Sequence, residues 1–157
     1  MIIRNVRPTG YPPIISVLDK WWGERKMSDM LPRLFFEHFC ETSFILEEDN
    51  QIAAFLIGFF SQSRPEEAYI HFVGVHPQYR KRGFGRELYE HFFIVMHQHQ
   101  HRVVRCVTSP INTGSIAFHT RMGFQIVPQD TQKDGIPYCA DYDGLGEHRV
   151  LFVKQVG

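Results

Sequence analysis

Two hydrophobic spacings divide this chain, one suited to strands and one to helices. Residues 2–6 read as a short strand, after which Thr9, Gly10, Pro12 and Pro13 interrupt the pattern. A helical stretch follows, carrying Ile14, Ile15, Leu18 and Trp22. A second helix is predicted from Ser28 or Asp29, with Pro32 in its first turn and Leu31, Leu34, Phe35 and Phe39 at helical spacing. Residues 42–48 and 52–60 flank Asp49-Asn50 and read as a hairpin. The run AYIHFVGV at 68–75 is β-branched and aromatic and stops at His76-Pro77, where proline cannot extend a ladder. From Gly83 the spacing is helical again: Phe84, Leu88, Phe92 and Val95 or Met96 form an apolar stripe that ends near His97. A strand at 103–107, a helix at 115–122 and strands near 124–127 and 149–153 complete the prediction.

Strands that run first antiparallel and then alternate with helices predict an α/β fold with a mixed central sheet and helices on both faces. The length, 157 residues, suits a single domain over 1–157. With 43% hydrophobic and 22% charged residues the composition is that of a folded protein. Seventeen basic residues balance seventeen acidic ones, which argues against an extended nucleic-acid-binding face but leaves room for a local basic cluster. The longest apolar run, 52–60, is about half of the roughly 20 residues a membrane-spanning helix needs, and MIIRNVRPTG lacks a signal-peptide pattern. The expectation is a cytoplasmic protein with neither a membrane nor a nucleic acid as partner. Cys40, Cys106 and Cys139 are odd in number and far apart, which suits reduced thiols.

The basic cluster lies in VGVHPQYRKRGFGREL, a strand followed by a glycine-containing turn that opens a helix. Free amides at a helix start converge on one point and the helix dipole favours negative charge there. Gly83 and Gly85 let a phosphate approach the backbone, while Arg80, Lys81, Arg82 and Arg86 add charge at the rim. A phosphate loop of the glycine-lysine-serine/threonine type is excluded, because that ending is absent. A dinucleotide fingerprint fails as well, since Leu88 stands where a third small residue is required.

Arg80-Lys81-Arg82-Gly83-Phe84-Gly85, preceded by Val73-Gly74-Val75-His76-Pro77 and followed by Leu88, resembles the acyl-CoA-binding signature of the GNAT superfamily of N-acyltransferases. A second block, VVRCV followed by TSPINTGSIAFHTRMGF, resembles that superfamily's region in which an asparagine opens a helix ending in Gly-Phe; Asn112, Ala117 and Gly123-Phe124 fit it. Together the blocks cover about residues 68–127. The resemblance implies the acyl-CoA N-acyltransferase fold and acetyl-CoA as co-substrate, with no metal. CoA's pyrophosphate is then expected on the amides from Lys81 through Arg86 and its pantetheine arm along the backbone of Val73, Gly74 and Val75. Asn112 and Phe118 are expected on the opposite wall. The implied reaction is direct attack of an amine on the thioester, with a backbone amide of the 73–75 segment polarising the carbonyl.

One position departs from the pattern. Many members carry a tyrosine acid four residues before the Gly-Phe glycine, and here that residue is His119, an imidazole also able to protonate a thiolate if correctly placed. The position of a glutamate base in some members is Tyr69, and His71, two residues on, is the candidate base, against the alternative of a hydrogen-bonded strand histidine. His97, His99 and His101 fall at a helix end and read as a solvated connection rather than a metal site. Trp21 and Trp22 read either as a substrate wall or as core, and Cys106 as buried filler. The aperiodic, acidic stretch 130–147 reads as a solvated loop or as an attractor for an ammonium-bearing acceptor. The expected partner is a small amine-bearing acceptor, with a homodimer also compatible. A non-catalytic acyl-CoA-binding module, and an acyltransferase acting on a protein or aminoacyl-tRNA, are the alternatives.

Overall fold

A computed structural model describes residues 1–23 and 26–157. Seven strands form one sheet in the order β1-β2-β3-β4-β5-β9-β6: β1 Ile2–Asn5, β2 Phe44–Glu48, β3 Gln51–Phe60, β4 Glu67–Val75, β5 Val103–Thr108, β6 Gln125–Ile126 and β9 Val150–Gln155. Only β4 and β5 run parallel; every other neighbouring pair in the sheet is antiparallel. The mixed sheet predicted from the order of strand and helix patterns is therefore present, with helices on both faces.

Alternation along the strands sends side chains to two separate cores. Leu46, Leu56, Ala68 and Ile70 meet the stripe of helix α4 (Phe84–Gln98), in which Phe84, Leu88, Tyr89, Phe92, Phe93 and Met96 are buried. Helix α5 (Thr113–Arg121) adds Ile116 to the same side. On the other face Ile45, Phe55, Ile57 and Phe72 pack against α1 (Tyr11–Ile15), α2 (Leu18–Trp21) and α3 (Leu34–His38) through Ile14, Leu18, Trp21 and Phe36.

The single helix predicted over Ile14 to Trp22 is two short ones. Ser16 turns its hydroxyl back to the Pro13 carbonyl, and Val17, with φ −115°, separates them. The helix predicted from Ser28 is a 3-10 turn, Ser28–Met30, and α3 begins only at Leu34. Leu31, preceding Pro32, is held out of the helical region at φ −131° and ψ 70°, as residues before proline are. The stretch 130–147, read as an aperiodic loop, contains a hairpin: β7 Thr131–Lys133 and β8 Ile136–Tyr138. Its turn is Asp134-Gly135, with φ 52° and 80°, the left-handed pair that a tight two-residue hairpin requires. No described helix is long and apolar enough to cross a membrane.

Candidate active site

The site begins where two strands part. β4 and β5 pair only through Glu67, Ala68 and Tyr69 with Val103, Val104 and Arg105. Beyond that point Ile70 to Val75 lacks β5 as a partner, while Cys106, Val107 and Thr108 continue to pair with β9. The amide of His76 donates to Ala53 on β3, so by strand alternation the polar groups of Val75 and Val73 point the other way, into the gap. A β-bulge at His71 sets this phase: Ile57 opposes Phe72 and Gly58 opposes Ile70, with His71 the extra residue. His71 and Phe72 consequently share one face, and Val73 and Val75 turn to the α4 side.

At the mouth of the gap lies a groove of about 430 Å³, lined by Val75, Tyr79, Arg80, Lys81, Gly83, Phe84, Gly85, Arg86, Phe118, Arg121 and Met122. Gly83 caps α4 at φ 80°, a conformation that disfavours any other residue, and contributes no capping side chain. The first helical hydrogen bond runs from the Glu87 amide to the Gly83 carbonyl, which leaves the amides of Phe84, Gly85 and Arg86 facing outward. A Cβ on Gly85 would sit 3.8 Å from both Phe118 and Val75, so the missing side chain is part of the groove. Lys81, Arg86 and Arg121 are exposed around it. An uncapped helix start with a basic rim and an open strand edge fits a pyrophosphate joined to an extended amide-bearing arm.

The sequence-predicted cofactor residues separate into two groups. Val75, Lys81, Gly83, Phe84, Gly85, Arg86 and Phe118 come together around the groove. Arg80 lines it too, but its guanidinium is engaged below, donating to the carbonyls of Val75 and Trp21. Arg82 turns away: it lies over the rings of Phe84 and Tyr79 and 3.4 Å from Glu48. Val73 and Gly74 lie deeper, on the strand, and Asn112 is outside the lining, where its Oδ1 accepts the Ser115 amide and caps α5. Tyr79, Arg121 and Met122 were not anticipated. The available signal was the three-residue step from Phe118, which returns Arg121 to the same side of α5.

The acid expected at His119 does not fit that residue's surroundings. The ring is 6% exposed and stacked on Phe152 at 4.7 Å. Its Nδ1–H donates to the Ser115 carbonyl at 2.8 Å, and its Nε2 accepts the Tyr89 hydroxyl at 2.8 Å. Burial pushes its pKa below the usual histidine value. Both ring nitrogens are thus engaged within the protein, by the Ser115 carbonyl and the Tyr89 hydroxyl. Tyr89, buried beside it with its phenol held neutral by burial, is the partner the sequence reading missed.

His71 differs. Its Nε2–H donates to the Met30 carbonyl at 2.6 Å and its ring stacks on Phe35 at 4.3 Å, which assigns the lone pair to Nδ1. Burial lowers its pKa, partly opposed by the Met30 hydrogen bond and by Asp143. Trp21 is core, packed on Phe55 and His76. Trp22 is half-buried, edge-on to Phe72, and closes on Gly74, where a Cβ would lie 2.9 Å from the indole. Tyr69 stacks on Phe59, with its phenol pKa raised by burial. Burial likewise raises the Cys106 thiol, leaving it protonated. His99 and His101 lie against Phe60, so the histidine run is not merely solvated.

A second hollow, of about 420 Å³, lies between α3 and the end of β3. It is lined by Glu37, Glu41, His38 and Cys40 without an arginine or lysine, and so lacks the chemistry of an anion site.

Comparison with known proteins agrees with this geometry. The sequence model of the acetyltransferase (GNAT) family matches residues 11–124. No curated protein sequence matches the chain. Among solved structures, a GNAT-family protein from Desulfovibrio desulfuricans superimposes with a TM-score of 0.81 at 16% identity, covering 99% of each chain. The ribosomal-protein-S18-alanine N-acetyltransferase of Escherichia coli does so with a TM-score of 0.68 at 19% identity, over 99% of this chain and 94% of that one. yncA from Salmonella typhimurium, solved with its cofactor acetyl-CoA, has a TM-score of 0.70 at 18% identity, over 100% and 94%.

Proposed function

The chain belongs to the acetyltransferase (GNAT) family, and from that premise we propose that it transfers an acetyl or short acyl group from CoA to a primary amine by direct attack in a ternary complex. The observation that carries this reading is the pairing of an uncapped, basic helix start with an open strand edge. The amides of Phe84, Gly85 and Arg86 hold the pyrophosphate, and Lys81, Arg86 and Arg121 neutralise it. The outward polar groups of Val73 and Val75 take the pantetheine arm as an added strand, and a backbone amide in this segment polarises the thioester carbonyl. Phe118 packs across the groove.

His71 is the base in this reading. Its Nε2–H is anchored by the Met30 carbonyl, so Nδ1 accepts the proton of the attacking amine, directly or through one water. His119 is structural. The departing thiolate, with a solution pKa of about 8.5, takes its proton from water. The acceptor is a small amine-bearing molecule and the setting cytoplasmic; the balanced charge disfavours an aminoacyl-tRNA acceptor, which needs an extended basic face.

Calorimetry with acetyl-CoA, followed by thiol release with an amine panel on the same sample, tests the proposal. Binding with acceptor-dependent release is the expected result. Binding without release from any amine would favour a non-catalytic acyl-CoA-binding module, and no binding would overturn the groove's assignment.

A further inference from the structure

Helix α5 is lightly held, yet it forms one wall of the groove. Of its nine residues only Ile116 and His119 are buried, while Phe118, Arg121 and the following Met122 line the groove. The facing wall is the start of α4, where a Cβ on Gly85 would lie 3.8 Å from the Phe118 ring. The separation of these two helices therefore sets the groove's width. Ring contacts join them: Tyr89, one turn after Gly85 on α4, meets Phe118 edge-on at 5.1 Å. Apolar packing alone leaves room for rotation and sliding, because it is largely non-directional. Among the described residues one hydrogen bond also ties α4 to α5, from the Tyr89 hydroxyl to His119 Nε2.

The surroundings of His119 give that bond a fixed direction. A carbonyl only accepts, so the Nδ1 hydrogen points at Ser115, one turn back on the same helix, and this holds the ring in one rotamer. Stacking on Phe152 at 4.7 Å and an edge contact with Phe124 at 5.3 Å fix the ring's plane. The Nε2 lone pair is thereby aimed along one line, and the Tyr89 hydroxyl donates to it at 2.8 Å. Burial favours the neutral imidazole and the protonated phenol, the two states this bond requires. We propose that Tyr89 and His119 are a positioning pair that sets the separation and rotation of α4 and α5, and so holds Phe118 and Arg121 where the CoA arm and phosphates pass. This rests on the acetyl-transfer reading of the groove. Phe118 is the residue next to His119, so a turn of α5 about its axis that breaks the Tyr89 bond also swings Phe118 across the groove. The pair therefore acts on the affinity for acetyl-CoA.

The test measures acetyl-CoA affinity by calorimetry in the full chain and in four variants, each well below its thermal midpoint and with its folded fraction checked by circular dichroism. Tyr89→Phe keeps the ring contacts and removes the hydroxyl, His119→Phe removes the acceptor, the double variant removes both, and His119→Gln offers an amide oxygen in place of Nε2. Tyr89→Phe and His119→Phe should each weaken acetyl-CoA about fivefold or more, and the double variant should be no weaker than either, as one shared interaction requires. His119→Gln should bind within about twofold of the parent, because its oxygen can again accept the Tyr89 hydroxyl. Unchanged affinity in both single phenylalanine variants, with only the thermal midpoint lowered, would overturn the inference and leave acetyl transfer standing. Losses that multiply in the double variant, or a His119→Gln chain as weak as His119→Phe, would overturn it as well. A parent chain that fails to bind acetyl-CoA would overturn the acetyl-transfer reading and this inference with it.

Discussion

Single histidines in this protein are assigned by the atoms their two nitrogens meet. His119→Phe removes the acceptor of the Tyr89 hydroxyl and strands that buried donor, which costs about 1–3 kcal/mol. Turnover by the folded variant should stay within about twofold of the parent if the ring gives no proton to the cleft. Chemical denaturation and thiol release on one preparation separate the two effects, and a hundredfold loss of turnover with unchanged stability would restore an acid role. His71→Ala should behave in the opposite way: kcat should fall by roughly 10²-fold or more while acetyl-CoA affinity, measured by calorimetry, is unchanged. Arg121, exposed at the end of α5 beside Arg86, should contribute through charge. Arg121→Glu is expected to weaken acetyl-CoA about tenfold, and to weaken it less at high salt because exposed charges are screened.

At the scale of elements, the start of α4 is the part most directly tested. Gly83 is a poor place to intervene, since any side chain at φ 80° strains the backbone by roughly 1–2 kcal/mol before it touches a ligand. Gly85 is the cleaner site: it is helical, and its absent Cβ faces Phe118 and Val75 at ordinary contact distance. Gly85→Glu should abolish detectable acetyl-CoA binding while the thermal midpoint moves little, and retained affinity would show that this groove is not the CoA site. The helix, its stripe and its glycine turn were legible in the sequence because all three are local patterns. The strand pair β2–β3 was legible for the same reason. The parting of β4 from β5 was not, because it depends on how far two distant strands stay in register. The bulge at His71 was equally hidden: strict alternation puts Tyr69 and His71 on one face, but only the β3 register adds Phe72 to that face and turns Val73 to the other. In the site itself, the backbone contribution could be read from glycine spacing, whereas the roles of His119 and Arg82 depended on Tyr89 and Glu48, which are 30 and 34 residues away in sequence.

Across the whole molecule, three of the nine histidines, distributed over both faces of the sheet, have their charged forms disfavoured. His119 is enclosed on the α4–α5 side, His91 packs edge-on to Phe44 on that side, and His71 lies against Phe35 on the other. For all three, burial is the first cause of a pKa below the ordinary value of 6.5. The sign of the linkage follows: below pH 6.5 the unfolded chain takes up protons at these positions before the folded chain does, so folding stability is greatest above that pH and falls as acid is added. Thermal midpoints should therefore drop steadily from pH 7 toward pH 5, a range in which most carboxylates with ordinary pKa values remain ionised. His119→Phe should melt lower at pH 7 yet show a shallower decline, because one of the three groups no longer titrates. The kinetic consequence has the same sign. With His71 as base, kcat/KM for an amine of fixed charge should rise from acid pH and level off as His71 loses its proton, and in His71→Ala that limb should disappear. Stability and activity would then fail together in acid, for the same reason at different residues: burial lowers the pKa of His91 and His119 within the fold and of His71, the proposed base.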